Sequence, residues 1–163
     1  MTTEISTGEP LTTNNGIYEI DPATPGCAQR IISIQQAAYA IEADLMGFDD
    51  IPPLHEAVED VSSQTDLSWL GSFVDLRLVA ITAWAMASPS EIDIDRLAVH
   101  PRWARQGHGR ALVQSVPSFA TATVSTGEQN APAIALYEAE GFANVGRTEV
   151  APGIFTSQFR RSP

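Results

Sequence analysis

The sequence predicts an α/β (α+β) fold, a mixed sheet flanked by helices, and three observations carry that reading. At 163 residues and 44% hydrophobic, the chain can bury one core without disulfide or metal support. Apolar spacing switches between strand and helix periods in the order strand, two helices, three strands, helix, strand, helix, two strands. Between Glu91 and Val113 an alternating strand passes through two glycines into a helical pattern. Such a strand, turn and helix unit aims unpaired N–H groups at one point in space.

Residues 1–16 are rich in Thr, Glu, Asn and Gly, lack periodicity, and read as a loose tail before a single domain at 17–163. Residues 17–20 alternate as a first strand. Thr24 and Pro25 read as a helix N-cap and first-turn proline. Ile31, Ile34, Ala38, Ile41 and Leu45 then recur at helical spacing, with Gly47 as the C-terminal cap. Pro52 and Pro53 open a shorter helix with Leu54, Val58 and Val61 on one face. Residues 69–76 and 78–87 read as strands, with Trp84 packed in the sheet, ahead of a turn at Ser88, Pro89 and Ser90. The next strand, 91–99, alternates: Ile92, Ile94, Arg96 and Ala98 on one side, Glu91, Asp93, Asp95, Leu97 and Val99 on the other. Pro101 cannot donate to a ladder and ends it. A helix beginning near Arg110 stops close to Pro117, and residues 122–125 form a strand. Asn130 caps the last helix and Gly141 ends it; residues 144–150 and 154–159 are terminal strands about Pro152 and Gly153.

Charge and cysteine usage narrow the function classes. Net charge is −11, unevenly placed: residues 1–95 hold 16 acids and 2 arginines, residues 96–163 hold 4 acids and 7 arginines. So acidic a protein is a poor partner for nucleic acid. The start lacks a basic and then apolar leader, and no apolar run is long enough to span a bilayer, so a cytoplasmic protein without membrane association is expected. A lone cysteine, Cys27, fits a reducing compartment. Asp93 and Asp95 do not open a calcium loop, since Leu97 and Ala98 stand where a ligand and a glycine are required, and no metal is expected.

The glycine turn reads as a pyrophosphate cradle, with Arg102, Arg105 and Arg110 within nine residues. It is not a Walker loop, because the chain has no lysine. Nor is it a dinucleotide fingerprint, because Leu112 occupies the third glycine position. Leu97, Val99, Pro101, Gly107 and Gly109 instead match "L-x-V-x-P" followed by "Q/R-x-x-G-x-G/A", which resembles the acetyl-CoA loop of the GCN5-related N-acetyltransferases (GNAT). Ala104 departs from the usual Gln or Arg, leaving Arg105 and Gln106 as the nearest polar groups. A second segment, Asn130, Ala133, Leu136, Tyr137, Gly141 and Phe142, is similar to that family's "N-x-x-A-x-x-L-Y-x-x-x-G-F" at each position.

This resemblance implies a mostly antiparallel sheet that splays to admit the pantetheine arm, and transfer of acetyl from acetyl-CoA to a primary amine within a ternary complex. It implies that Leu97, Ala98, Val99, Arg105, Gln106, Gly107, His108, Gly109, Arg110 and Asn130 hold the cofactor. Tyr137 is then the general acid toward the CoA thiolate, and Asp93 stands where members often carry a base, with Asp95 next to it. An alkylammonium, with a reference pKa of about 10, must lose a proton before it can attack. The acids Glu42, Asp44, Asp49, Asp50, Glu56, Glu59 and Asp60 occupy the segment that borders the acceptor pocket in that family. They suggest a small-molecule or peptide amine that carries positive charge, with Tyr39 and Phe48 as further lining; a homodimer is compatible with this reading. A CoA-binding sensor that has lost catalysis would share both motifs, and the retained Tyr137 favours an enzyme.

Overall fold

The computed structural model describes residues 15–163; most of the expected tail, residues 1–14, lies outside it. A seven-stranded sheet has the order β1-β2-β3-β4-β5-β7-β6, formed by β1 (Gly16–Glu19), β2 (Ser68–Val74), β3 (Arg77–Ser88), β4 (Glu91–Val99), β5 (Thr121–Gly127), β6 (Ala143–Ala151) and β7 (Ile154–Arg161). Every neighbouring pair is antiparallel except β4 and β5. Helices α1 (Cys27–Met46), α2 (Pro52–His55) and α3 (Val58–Ser62) cover one face, with α4 (His108–Ser115) and α5 (Ala131–Ala139) associated with the other. No helix among the described residues is long and apolar enough to cross a membrane.

Four sequence expectations are corrected. Helix α1 starts at Cys27 behind Gly26 in a left-handed conformation (φ 84°), not behind Thr24. The Asp21 carboxylate accepts from Ala23 N, and Thr24 N donates to Asp21 O, so these residues close a turn of their own ahead of the helix. Gly47 does cap the helix end, at φ 62°. Ile41 and Leu45 are about half exposed, because the buried row of α1 runs through Ala28, Ile31, Gln35, Tyr39 and Ala43 and includes a glutamine that apolar spacing cannot reveal. The single helix expected after Pro52 is two, because Glu56 is extended (φ −69°, ψ 140°) and its carboxylate reaches Arg96.

The fourth correction concerns β4. Trp84 pairs with Ile94 and Ala83 with Arg96, so Asp95 is an extra residue, a β-bulge. A bulge reverses the facing of everything beyond it. Ile92 and Ile94 pack with Leu112, Val113, Phe142 and Phe159, and beyond the bulge Leu97 and Val99 join that same cluster. Arg96 and Ala98 turn instead toward the face covered by α1. The expected strict alternation therefore holds only as far as Ile94. The bulge also bends β4 away from β5, whose parallel pairing covers only Glu91–Ile94 against Thr121–Val124. Beyond that point the sheet is open.

Candidate active site

Two adjoining cavities occupy this opening. The outer groove, about 550 Å³, runs along the glycine turn and is lined by Leu97, Ala98, Val99, Arg105, Gly107, His108, Gly109, Arg110 and Asn130. The inner pocket, about 420 Å³, is lined by Phe48, Asp50, Asp95, Arg96 and Tyr137 among others. Tyr39, Glu42, Leu97, Asn130 and Ala133 border both. Of the residues predicted to hold the cofactor, Gln106 alone does not line the groove.

The turn is built for close approach by a ligand. Arg105 (φ 60°) and Gly107 (φ 85°) are both left-handed, and α4 begins without a side-chain cap, which leaves its first N–H groups free. The His108 imidazole shares a 2.8 Å hydrogen bond between Nδ1 and Ser72 Oγ, tying the helix start to β2. Burial depresses the pKa of His108. Arg110 is ion-paired with Glu140 at 2.6 Å, whereas Arg105 has no ion pair among the described residues. Gly109 has a packing reason: a Cβ there would lie 3.3 Å from Leu136 Cδ2 and 3.4 Å from Val99 Cγ2. That glycine lets α4 approach β4 and α5, whose side chains are themselves groove wall.

Tyr137 is 4% exposed; its ring packs on Phe142 and Phe159, and the residue lines the inner pocket. Burial first, and the nearby charge of Glu42 second, hold its phenol well above the ordinary tyrosine range. Tyr39 is raised for the same two leading reasons, and donates from its hydroxyl to Leu97 O at 3.4 Å. Both phenols therefore stay protonated at neutral pH. Asn130 caps α5 by accepting from Ala133 N, and its amide donates to Thr126 Oγ1.

The candidate acids separate. Asp95 lines the inner pocket and is paired with Arg96 Nε at 2.6 Å. Asp93 is exposed, accepts from Thr123 Oγ1 at 3.1 Å, and does not line the pocket. Of the acids on the helical segment, Glu42 and Asp50 line the pocket, Glu56 is ion-paired with Arg96, and the other four do not reach it. Glu42 stood among the seven acids named from the sequence, but no catalytic role was assigned to it. Its Oε1 accepts from Gly127 N (3.0 Å) and Thr126 Oγ1 (3.2 Å), which fixes the carboxylate between the two cavities. The available signal was its position three residues after Tyr39, on the same side of α1.

Comparison with known proteins bears on the domain and its fold. Residues 73–144 match the acetyltransferase (GNAT) domain family. The fold is similar to that of the ribosomal-protein-S18-alanine N-acetyltransferase from Escherichia coli (TM-score 0.70, 19% identity, covering 90% of this chain and 92% of that one). It is equally similar to the PaiA N-acetyltransferase from Thermoplasma acidophilum in complex with coenzyme A (TM-score 0.70, 14% identity, 90% and 98% covered). The segment matched to a GNAT acetyltransferase domain thus runs from the end of β2 to the start of β6 and contains the glycine turn and α5. In sequence it is 33% identical over 140 residues to the UPF0157 protein YqkA of Bacillus subtilis (strain 168), an alignment spanning 83% of this chain. The chain spans about 40% of the length of that curated relative.

Proposed function

We propose that this domain is an acetyl-CoA-dependent N-acetyltransferase that moves the acetyl group directly to a primary amine held in the inner pocket. The observation that carries this reading is the opening between β4 and β5, where the two cavities meet at Glu42, Tyr39 and Leu97. The groove fits the cofactor chemically. The uncapped start of α4 and Arg105 suit a pyrophosphate, the freed backbone of Leu97 and Val99 suits the pantetheine amides, and Ile41, Leu45 and Leu136 supply an apolar wall. Bound there, acetyl-CoA supplies an activated acyl group. Glu42 receives the ammonium proton, and Tyr137 presents a protonated hydroxyl across the pocket. Cys27 borders neither cavity, and burial, then Asp21, raise its thiol pKa, which favours direct transfer over an acyl-cysteine. The carboxylates of Glu42, Asp50 and Asp95 suit a cationic acceptor.

Calorimetric titration with acetyl-CoA, CoA and ATP is the direct test. Saturable binding of the first two and none of ATP is expected, followed by turnover with members of an amine panel; absence of acetyl-CoA binding would overturn the reading. Gly109→Trp should abolish that binding, because the new ring displaces Leu136 and Val99 from the groove wall. Unchanged affinity in this variant would reject the assigned groove. Tyr137→Phe should lower kcat by about 10²-fold while sparing acetyl-CoA affinity. Full turnover would remove Tyr137 from the proton path.

A further inference from the structure

Outside the opening between β4 and β5, a third cavity of about 380 Å³ lies where α1 meets the start of β3 and the turn Pro101–Trp103. Arg30, Arg77, Arg102 and His100 line it, together with Ile34 and Trp103 among others. Three of the nine cationic side chains of a protein with net charge −11 converge here, and no carboxylate lines the cavity. None of these arginines has an ion pair among the described residues, whereas Arg96, Arg110, Arg147 and Arg160 all do. His100 Nδ1 accepts from Arg102 N, so a neutral imidazole carries its proton on Nε2 and keeps one further donor. Like charges left together and unpaired are unfavourable for the free protein, and an anion relieves that repulsion.

Trp103 is the wall between this cavity and the cofactor groove, since it lines both. CoA carries a pyrophosphate and, separately, a phosphate monoester on its ribose. Of the arginines along the groove, Arg110 is committed to Glu140 and Arg105 serves the pyrophosphate, so the monoester has no cation there. We propose that the Arg30, Arg77 and Arg102 cavity is a phosphate-monoester site and that it takes the 3′-phosphate of CoA; that choice of ligand rests on the acetyl-CoA reading above.

The test is a calorimetric comparison of CoA, 3′-dephospho-CoA and inorganic phosphate on the wild type and on the triple variant Arg30→Ala, Arg77→Ala, Arg102→Ala. All three side chains are exposed, so the variant should fold, and circular dichroism checks this. The wild type should bind CoA about tenfold more tightly than dephospho-CoA, a preference weakened by salt. The triple variant should bind both alike. Equal binding by the wild type, with inorganic phosphate still bound by the wild type and not by the variant, would keep the site but overturn CoA as the source of its phosphate. Equal binding with no phosphate uptake would overturn the site. Failure of both CoA forms would instead sink the cosubstrate reading, and the phosphate titration would then decide this proposal alone.

Discussion

Glu42→Gln is expected to lower kcat/KM for the amine by about 10²- to 10⁴-fold, the range for removing a general base, with acetyl-CoA affinity unchanged. The substitution keeps shape and one acceptor oxygen, so the bonds from Gly127 N and Thr126 Oγ1 survive and the β5 end of the pocket stays in place. Only the charge and the proton-accepting capacity are lost. A second readout separates this from misfolding: burial raises the Tyr137 phenol most and the charge of Glu42 raises it further, so removing that charge should lower the pKa while burial still holds it up. Ultraviolet titration of the phenols, with Tyr137→Phe as the reference, measures the change. Full activity in Glu42→Gln would return the base to Asp95, the pocket-lining carboxylate that is paired with Arg96, and Asp95→Asn would then be the decisive variant.

Arg96→Ala should cost about 3–5 kcal/mol of unfolding free energy, the range for breaking a buried ion pair by removing one partner. Its side chain is 4% exposed and donates to Glu56 Oε1 (2.5 Å), Gln35 Oε1 (2.8 Å), Asp95 Oδ2 (2.6 Å) and Gln64 Oε1 (3.0 Å), with Trp69 stacked at 5.1 Å. Burial opposes the guanidinium charge, yet the carboxylates of Glu56 and Asp95 more than offset it and hold the pKa above its ordinary value. Alanine leaves the Glu56 carboxylate, 14% exposed, without its cation. Urea denaturation with linear extrapolation reads the loss, and a change below about 1 kcal/mol would refute the assignment. Because the same guanidinium ties α2 and Asp95 to the pocket, KM for the amine should rise while acetyl-CoA affinity holds. The double variant Arg96→Ala, Glu56→Ala should recover part of the stability, since neither charge is then stranded.

Local signals made the strand and helix order readable. Pro101 had to end a strand, Asn130 had to cap a helix, and Gly141 had to close one, each for backbone reasons confined to a few residues. The ten residues assigned to the cofactor came from the family resemblance, and nine of them line one groove. The bulge at Asp95 was not legible, because one inserted residue leaves the alternation of each half intact and only the partner strand exposes the shift. The Arg96 and Glu56 pair lies 40 residues apart in sequence, so neither residue announces the other. Glu42 looked like any acid on a solvated helix. What distinguishes it is the backbone N–H of Gly127, which the fold brings to it from the far side of the opening.

The bulge at Asp95 has a thermodynamic consequence. By parting β4 from β5 after Ile94, it leaves two facing rows of peptide groups that a continuous sheet would have zipped together. Deleting Asp95 would restore register and let those rows close, giving a more regular sheet without a binding cleft. The native chain forgoes that closure and keeps an internal seam of the kind that an amide-bearing ligand fills as a surrogate strand. Ligand occupancy and cooperative unfolding are therefore one linked equilibrium, and the melting temperature should climb with ligand concentration.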